Sequence, residues 1–182
     1  YYKNLSSAQK LCGKLAEAEQ SLRQAIEVDP RFADGHVNLG NLLSEAERYD
    51  ETILSLPAAL EQYPEIAELH LNLGHALFQL GRLDDAKPSC LKALELKPDL
   101  GVAQNVLGGI YAGLDQLPEA IAAYQKALKA EAGTITTHLN LGLIYRTQRQ
   151  IEAAESSYRK ALTMEPENVD VLVGLASVLM EA

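Results

Sequence analysis

Histidine, cysteine and asparagine are the side chains whose types and spacing could do chemistry in this 182-residue chain. A zinc site needs its ligand nitrogens within about 2.1 Å of one ion. His36, His70 and His138 recur at 34 residues or a multiple of it, which sets them on separate elements. His70 and His75 are five residues apart, so on one helix they would point about 140° away from each other. Neither Cys12 nor Cys90 lies in a C-x-x-C or His-rich context, so the pair is no disulfide framework. These spacings argue against a metal site, and no cofactor is expected. The 25 Asp and Glu read as a solvated charged face rather than as paired acid and base. No glycine-rich loop follows a strand pattern, and no strand is expected anywhere. The chemistry that remains is recognition, and the chain is not expected to be an enzyme.

The asparagine sits in a string that repeats. "HLNLG" occurs at 70–74 and 138–142, "HVNLG" at 36–40, and "QNVLG" at 104–108 where the next copy falls due. A fixed period of this length is the mark of a repeat architecture. Repeats of 34 residues start at Ala33, Ala67, Gly101 and Ile135, after a partial repeat at 1–32 and before a last partial one at 169–182. Place 7 is then Leu39, Leu73, Leu107, Leu141 and Leu175; place 8 is Gly40, Gly74, Gly108 and Gly142. Places 20 and 27 are mostly Ala, and place 32 is Pro30, Pro64, Pro98, Ala132 and Pro166. Places 4, 7 and 11 share one helical face and are read as the packing face. Small residues at 8, 20 and 27 let helices approach closely. Pro at 32 ends a helix, because it lacks an N–H and clashes with the preceding turn. Each repeat is therefore an antiparallel helix pair, A then B, with a turn near place 15. Pro118 opens a B helix, whereas Pro57 and Pro88 fall inside B helices, where a kink is expected at Pro57.

This pattern resembles the tetratricopeptide repeat family along essentially the whole chain: the period, Leu-Gly at 7–8, Ala at 20 and 27 and Pro at 32 all match. The resemblance implies an all-α, right-handed superhelical solenoid of antiparallel helix pairs, its A helices lining a concave groove. The family is a binding scaffold, so the resemblance implies no single activity.

In the family, places 2, 6, 9 and 13 of helix A line the groove. Here place 6 gives Asn4, Asn38, Asn72 and Asn140. A carboxamide both donates and accepts, so it can pair with a peptide backbone whatever the side chains. Packed helices lie about 8–10 Å apart and an extended chain rises about 3.3 Å per residue, so one Asn per repeat meets a peptide about every third residue. Asn38, Asn72 and Asn140 could equally bond within the scaffold. Asn41, His75 and Asn105 join the candidate set, with Phe78 and Arg146 at place 12 as anchors for an apolar and an acidic group. The repeat at 101–134 offers "LGGIYAGL" instead of the Asn. The carboxylate clamp of some chaperone-adaptor members is absent: its aligned positions read Lys3, Ser7, Asn38, Glu68 and Asn72. The asparagine row is similar to that of the repeat domain of O-linked N-acetylglucosamine transferases.

The net charge of −9 argues against nucleic acid and anionic membranes, whose binding needs clustered Lys and Arg. No apolar run is long enough to cross a bilayer, so no membrane insertion is expected. The start lacks Met and a signal-peptide pattern; the chain reads as a segment of a longer protein or a processed form, and a cytoplasmic location is the expectation. In the last helix, Leu172, Leu175, Val178 and Leu179 are expected to pack inward, leaving Val173 and Met180 uncovered. Three functions are in view. The first is a scaffold that binds an extended segment of a protein or peptide partner. The second is the recruiting part of a larger glycosyltransferase or sulfotransferase. The third is self-assembly into a homo-oligomer through Val173 and Met180.

Overall fold

The computed structural model describes residues 2–130 and 132–181, with side chains from Leu15 onward. Ten α-helices follow in order: α1 (Tyr2–Val28), α2 (Ala33–Glu45), α3 (Tyr49–Gln62), α4 (Ala67–Gln79), α5 (Leu83–Leu96), α6 (Gly101–Gly113), α7 (Leu117–Lys129), α8 (Ile135–Thr147), α9 (Ile151–Met164) and α10 (Val169–Glu181). No strand occurs among the described residues. The helices form two compact bodies, residues 1–96 and residues 97–182. In the first, α1 packs on α2, α2 on α3 and α4, and α4 on α3 and α5. In the second, each helix packs on the next, and α8 also touches α10.

One turn geometry closes all four A–B pairs. Place 15 has positive φ in each: Glu47 (57°), Gly81 (73°), Asp115 (57°) and Arg149 (56°). The residue after it donates its N–H five residues back, as Arg48 to Leu43 (2.9 Å) and Gln150 to Tyr145 (2.9 Å). Place 15 itself donates three residues back, as Arg149 to Arg146 (2.9 Å). This is the Schellman helix stop, which Gly fills without strain and other residues fill at a cost of roughly 1–2 kcal/mol. The partial repeat at 1–32 makes no such turn, and α1 is unbroken. Its stretch "KLAEAEQSL" consists almost wholly of strong helix formers, which favours continuation. Arg48, just ahead of α3, is hydrogen-bonded to both Glu19 and Glu51 and so ties α1 to α3.

The buried face of the A helices differs by one residue from the expected one. Place 3 (Gly35, Leu69, Ala103, Thr137, Val171) and place 10 (Leu42, Ala76, Ile110, Ile144, Val178) are buried in every repeat. Place 4 is only half-buried where it is His36, His70, Gln104 or His138. Place 11 is buried as expected in α2 and α4 (Leu43, Leu77) and half-buried as Tyr111 and Tyr145, so the face common to the repeats runs 3, 7, 10, an i, i+4, i+7 stripe with place 11 at its edge. This corrects the reading of α10. Val171 and Val178 are fully buried and Leu175 packs beside them, whereas Leu172 (44% exposed) and Leu179 (50%) face solvent.

On the B helices, place 20 (Thr52, Ala86, Ala120, Ala154) and place 27 (Ala59, Ala93, Ala127, Ala161) are all buried. Between them, place 24 carries the bulk: Leu56, Cys90, Tyr124 and Tyr158. Burial pushes the Cys90 thiol up to about 12, which keeps it protonated and unreactive. Helix α3 continues through Pro57 and α5 through Pro88; both rings are exposed. Pro118 lies in the first turn of α7.

Candidate functional site

The outward row of the A helices is clearest at places 2, 9 and 13. Asp34, Asn41 and Glu45 are exposed on α2, and Thr136, Leu143 and Thr147 on α8. On α6, Val102 is 52% exposed, and on α8 Leu143 is 40% exposed. On α4, Gln79 is exposed while Glu68 and His75 are half-buried.

Place 6 does not follow this row. Asn38 is exposed, but Asn72 is 7% exposed and Val106 is 6% exposed. The Asn72 amide donates to the Val37 carbonyl (3.2 Å) and to Asn41 Oδ1 (2.8 Å), both on α2. Gly40 makes room for it: a Cβ there would lie 2.7 Å from Asn72 Nδ2. Asn140, half-buried on α8, donates to the Tyr124 hydroxyl on α7 (2.9 Å). At place 5 of α6, Asn105 Oδ1 accepts from the buried Thr137 hydroxyl of α8 (2.6 Å). Asn72, Asn105 and Asn140 thus each use a polar atom between helices, the scaffold use left open for Asn72 and Asn140, because this side of the A helix meets a neighbouring helix. Leaving such a buried donor unpaired would cost about 1–3 kcal/mol. Asn4 lies outside the residues with described side chains.

The histidines also serve the scaffold. His36 and His70 bond the carbonyls of Pro30 (3.2 Å) and Pro64 (2.8 Å). A carbonyl only accepts, so each ring nitrogen donates and fastens the chain entering the next A helix. His138 has Ala132 where the others have proline, and it forms no such bond among the described residues. Burial lowers its pKa, and Lys160 lowers it further. His75 packs edge-on against Tyr49 (centroids 6.0 Å apart) and pairs with Gln79 (3.0 Å). Burial lowers its pKa too. Phe78 and Arg146 are half-buried. No group of three metal-ligating side chains occurs among the described residues.

Sequence reasoning missed the partner of the asparagine. Tyr124 and Tyr158 stand 34 residues apart at place 24, and that spacing was the available signal. Where Tyr124 faces Asn140, Tyr158 faces Gly174, which occupies place 6 of the last A helix. A Cβ at Gly174 would come within 2.6 Å of the Tyr158 ring. The Tyr158 hydroxyl is buried without a hydrogen-bond partner. Arg146, Thr147, Arg149, Ile151 and Glu181 line a cavity of about 690 Å³ in the same body.

Helix pairs closed by one turn geometry, packed through places 3, 7 and 10, define an all-α helical-repeat protein with an exposed A-helix row. The sequence comparison narrows this. A tetratricopeptide repeat profile matches residues 65–130 and 99–166, more than half the chain, and a second profile of the same repeat matches 10–47. The chain belongs to the tetratricopeptide repeat family. Members are generally non-catalytic scaffolds for protein interaction. A search of curated proteins found no match. Among solved structures, MamA residues 41 to end from Desulfovibrio magneticus RS-1 is 21% identical, with 92% of this chain and 95% of that one covered and a TM-score of 0.72. A thermophilic repeat protein of Thermus thermophilus is 20% identical, with 97% and 96% covered and a TM-score of 0.69. YrrB, described as having an unusual peptide-binding site, is 24% identical, with 93% and 87% covered and a TM-score of 0.68. At these identities the likeness concerns the fold. No helix among the described residues is long and apolar enough to cross a membrane.

Proposed function

We propose that this chain holds an extended segment of a partner protein on the exposed row of its A helices. The supporting observation is the make-up of that row. Exposed Leu143 and Val102 stand with the Thr136 and Thr147 hydroxyls at places 2, 9 and 13 of the second body, and the same places of the first expose Asp34, Asn41, Glu45 and Gln79; apolar contact with polar orientation is the mixture that peptide sites use. Asn38 and Asn41 keep polar atoms toward solvent and remain the backbone-pairing candidates in the first body, where Phe78 adds side-chain selectivity; in the second body Leu143 and Arg146 supply it. In the family this face lines the binding groove, and YrrB is described as a peptide binder.

A peptide-array screen of the chain tests the reading. Peptides are expected to bind the wild type and to lose at least tenfold in affinity to Leu143→Glu, and severalfold to Asn38→Ala, with the helical melt unchanged. Binding unaffected by all of these would overturn it. Recruitment of substrate for an attached glycosyltransferase or sulfotransferase is the same binding in a larger setting. A second reading, self-association through α10, is favoured by the exposure of Val173 (60%) and Met180 (88%). Light scattering of the wild type and of Val173→Glu with Met180→Glu tests it; a monomer in both contradicts it.

A further inference from the structure

The cavity at the C-terminal end of α8 has an unusual charge pattern for an acidic chain. Arg146 sits in the last turn of α8 and Arg149 at the turn that follows. Among the described residues, neither guanidinium has an ion-pair or hydrogen-bond partner, whereas of the other five arginines all but Arg31 are paired with carboxylates. Thr147 adds an exposed hydroxyl side chain to the lining, Ile151 an apolar one and Glu181 of α10 a carboxylate. Two of the lining residues, Arg146 and Glu181, also act electrostatically on Tyr158, a fully buried side chain whose hydroxyl has no partner. The volume, about 690 Å³, falls in the range of ligand pockets. Two unpaired guanidiniums among the lining residues offer forked donors that suit a carboxylate. Arg149 also occupies a left-handed position that Gly81 fills in another repeat, so its side chain stands there at a backbone cost.

We propose that the Arg146–Arg149 cavity is an anionic subsite, which takes an aspartate or glutamate side chain of the bound peptide. This rests on the reading of the A-helix row as a peptide-binding face, and it adds the charge of the ligand and a residue, Arg149, outside that row. Glu181 opposes the ligand's charge and sets a limit on how tightly an acidic group is held.

The left-handed backbone at Arg149 allows a test that separates binding from folding. Arg149→Gly removes the guanidinium and relieves the strained φ, so its melting temperature should equal or exceed that of the wild type. The probes are two fluorescein-labelled eight-residue peptides, one alternating Glu with Leu and one alternating Gln with Leu, titrated by anisotropy at 0.15 M salt. The Glu peptide should bind at least tenfold more tightly than the Gln peptide. Arg149→Gly and Arg146→Ala should each abolish that difference, and Glu181→Gln should tighten the Glu peptide several-fold. Equal affinity for the two peptides, or a preference that survives both arginine variants, would overturn the subsite. Equal affinities that Leu143→Glu abolishes would overturn the subsite and leave the peptide-binding face standing. No binding of either peptide would overturn the subsite, whereas the face itself is judged by the array screen.

Discussion

Asn72 in the first body and Asn140 in the second fill the same place in the same string, "HLNLG", yet they bond differently. Asn72 reaches to the preceding A helix, to the Val37 carbonyl and Asn41. Asn140 reaches to the preceding B helix, to the Tyr124 hydroxyl. Two neighbouring columns differ: place 24 of the preceding B helix is Leu56 for Asn72 and Tyr124 for Asn140, and place 9 of the preceding A helix is Asn41 for Asn72 and Gly109 for Asn140. Leucine offers no hydroxyl, so the amide turns to the next polar atoms within reach. Gly174 extends the series: with no carboxamide at place 6, the Tyr158 hydroxyl is left without a partner. An identical motif therefore need not carry one identical interaction, because a neighbouring column decides what the motif's polar atom meets.

The largest expected effect breaks the second body at its tyrosine. Tyr158→Ala removes a fully buried ring and should cost about 3–5 kcal/mol by denaturant titration. Removing the small Cys90 side chain at the same place in the first body should cost much less. A smaller effect separates the buried and exposed states of place 6. Asn72→Ala leaves the Val37 carbonyl and Asn41 without their donor and should cost about 1–3 kcal/mol, while Asn38→Ala, on an exposed residue, should stay within about 0.5 kcal/mol. Equal costs would mean that place 6 plays one role throughout.

Acid should weaken both bodies modestly. His75 and His138 have pKa values lowered by burial, so the folded form resists protonation. The unfolded chain takes up protons first, near pH 6.5. Stability then falls as the pH drops below about 6.5 and levels off below the folded values. His75→Gln with His138→Gln should flatten that part of a melting-temperature profile from pH 7.5 to 5. Glu19 and Glu51, held low mainly by Arg48, add a separate loss at lower pH, as those carboxylates protonate and release Arg48.

Much of the fold was legible because its determinants are local. Proline at place 32 and Leu-Gly at places 7–8 mark where helices stop and touch, and they recur often enough to be read without a structure. The packing face differs by one residue from its sequence reading because place 4 carries a recurring histidine. Its bond to the preceding proline carbonyl, as in His70 to Pro64, gives it the regularity of a core position without the burial. In α10 the same shift assigned Leu172 and Leu179 to the core and passed over Val171, while Val178 was read correctly. The candidate site was less legible than the fold. Whether a carboxamide faces solvent or a neighbouring helix depends on a side chain one helix away, and nothing in "HLNLG" records it. Arg149 was hidden for another reason: turn residues are usually read as connectors, and only the cavity places it beside Arg146.

If the place-24 neighbour fixes the asparagine of the string, removing one hydroxyl should matter in one body position and not in the next. Thermal and denaturant melts of Tyr124→Phe and Tyr158→Phe test this most directly, because each removes a single oxygen. Tyr124→Phe should destabilise by about 1–3 kcal/mol, since it leaves the half-buried Asn140 amide without its acceptor. Tyr158→Phe should be neutral or stabilising, since its hydroxyl is buried and unpartnered. The same loss in both variants, or a loss in Tyr158→Phe alone, would contradict it.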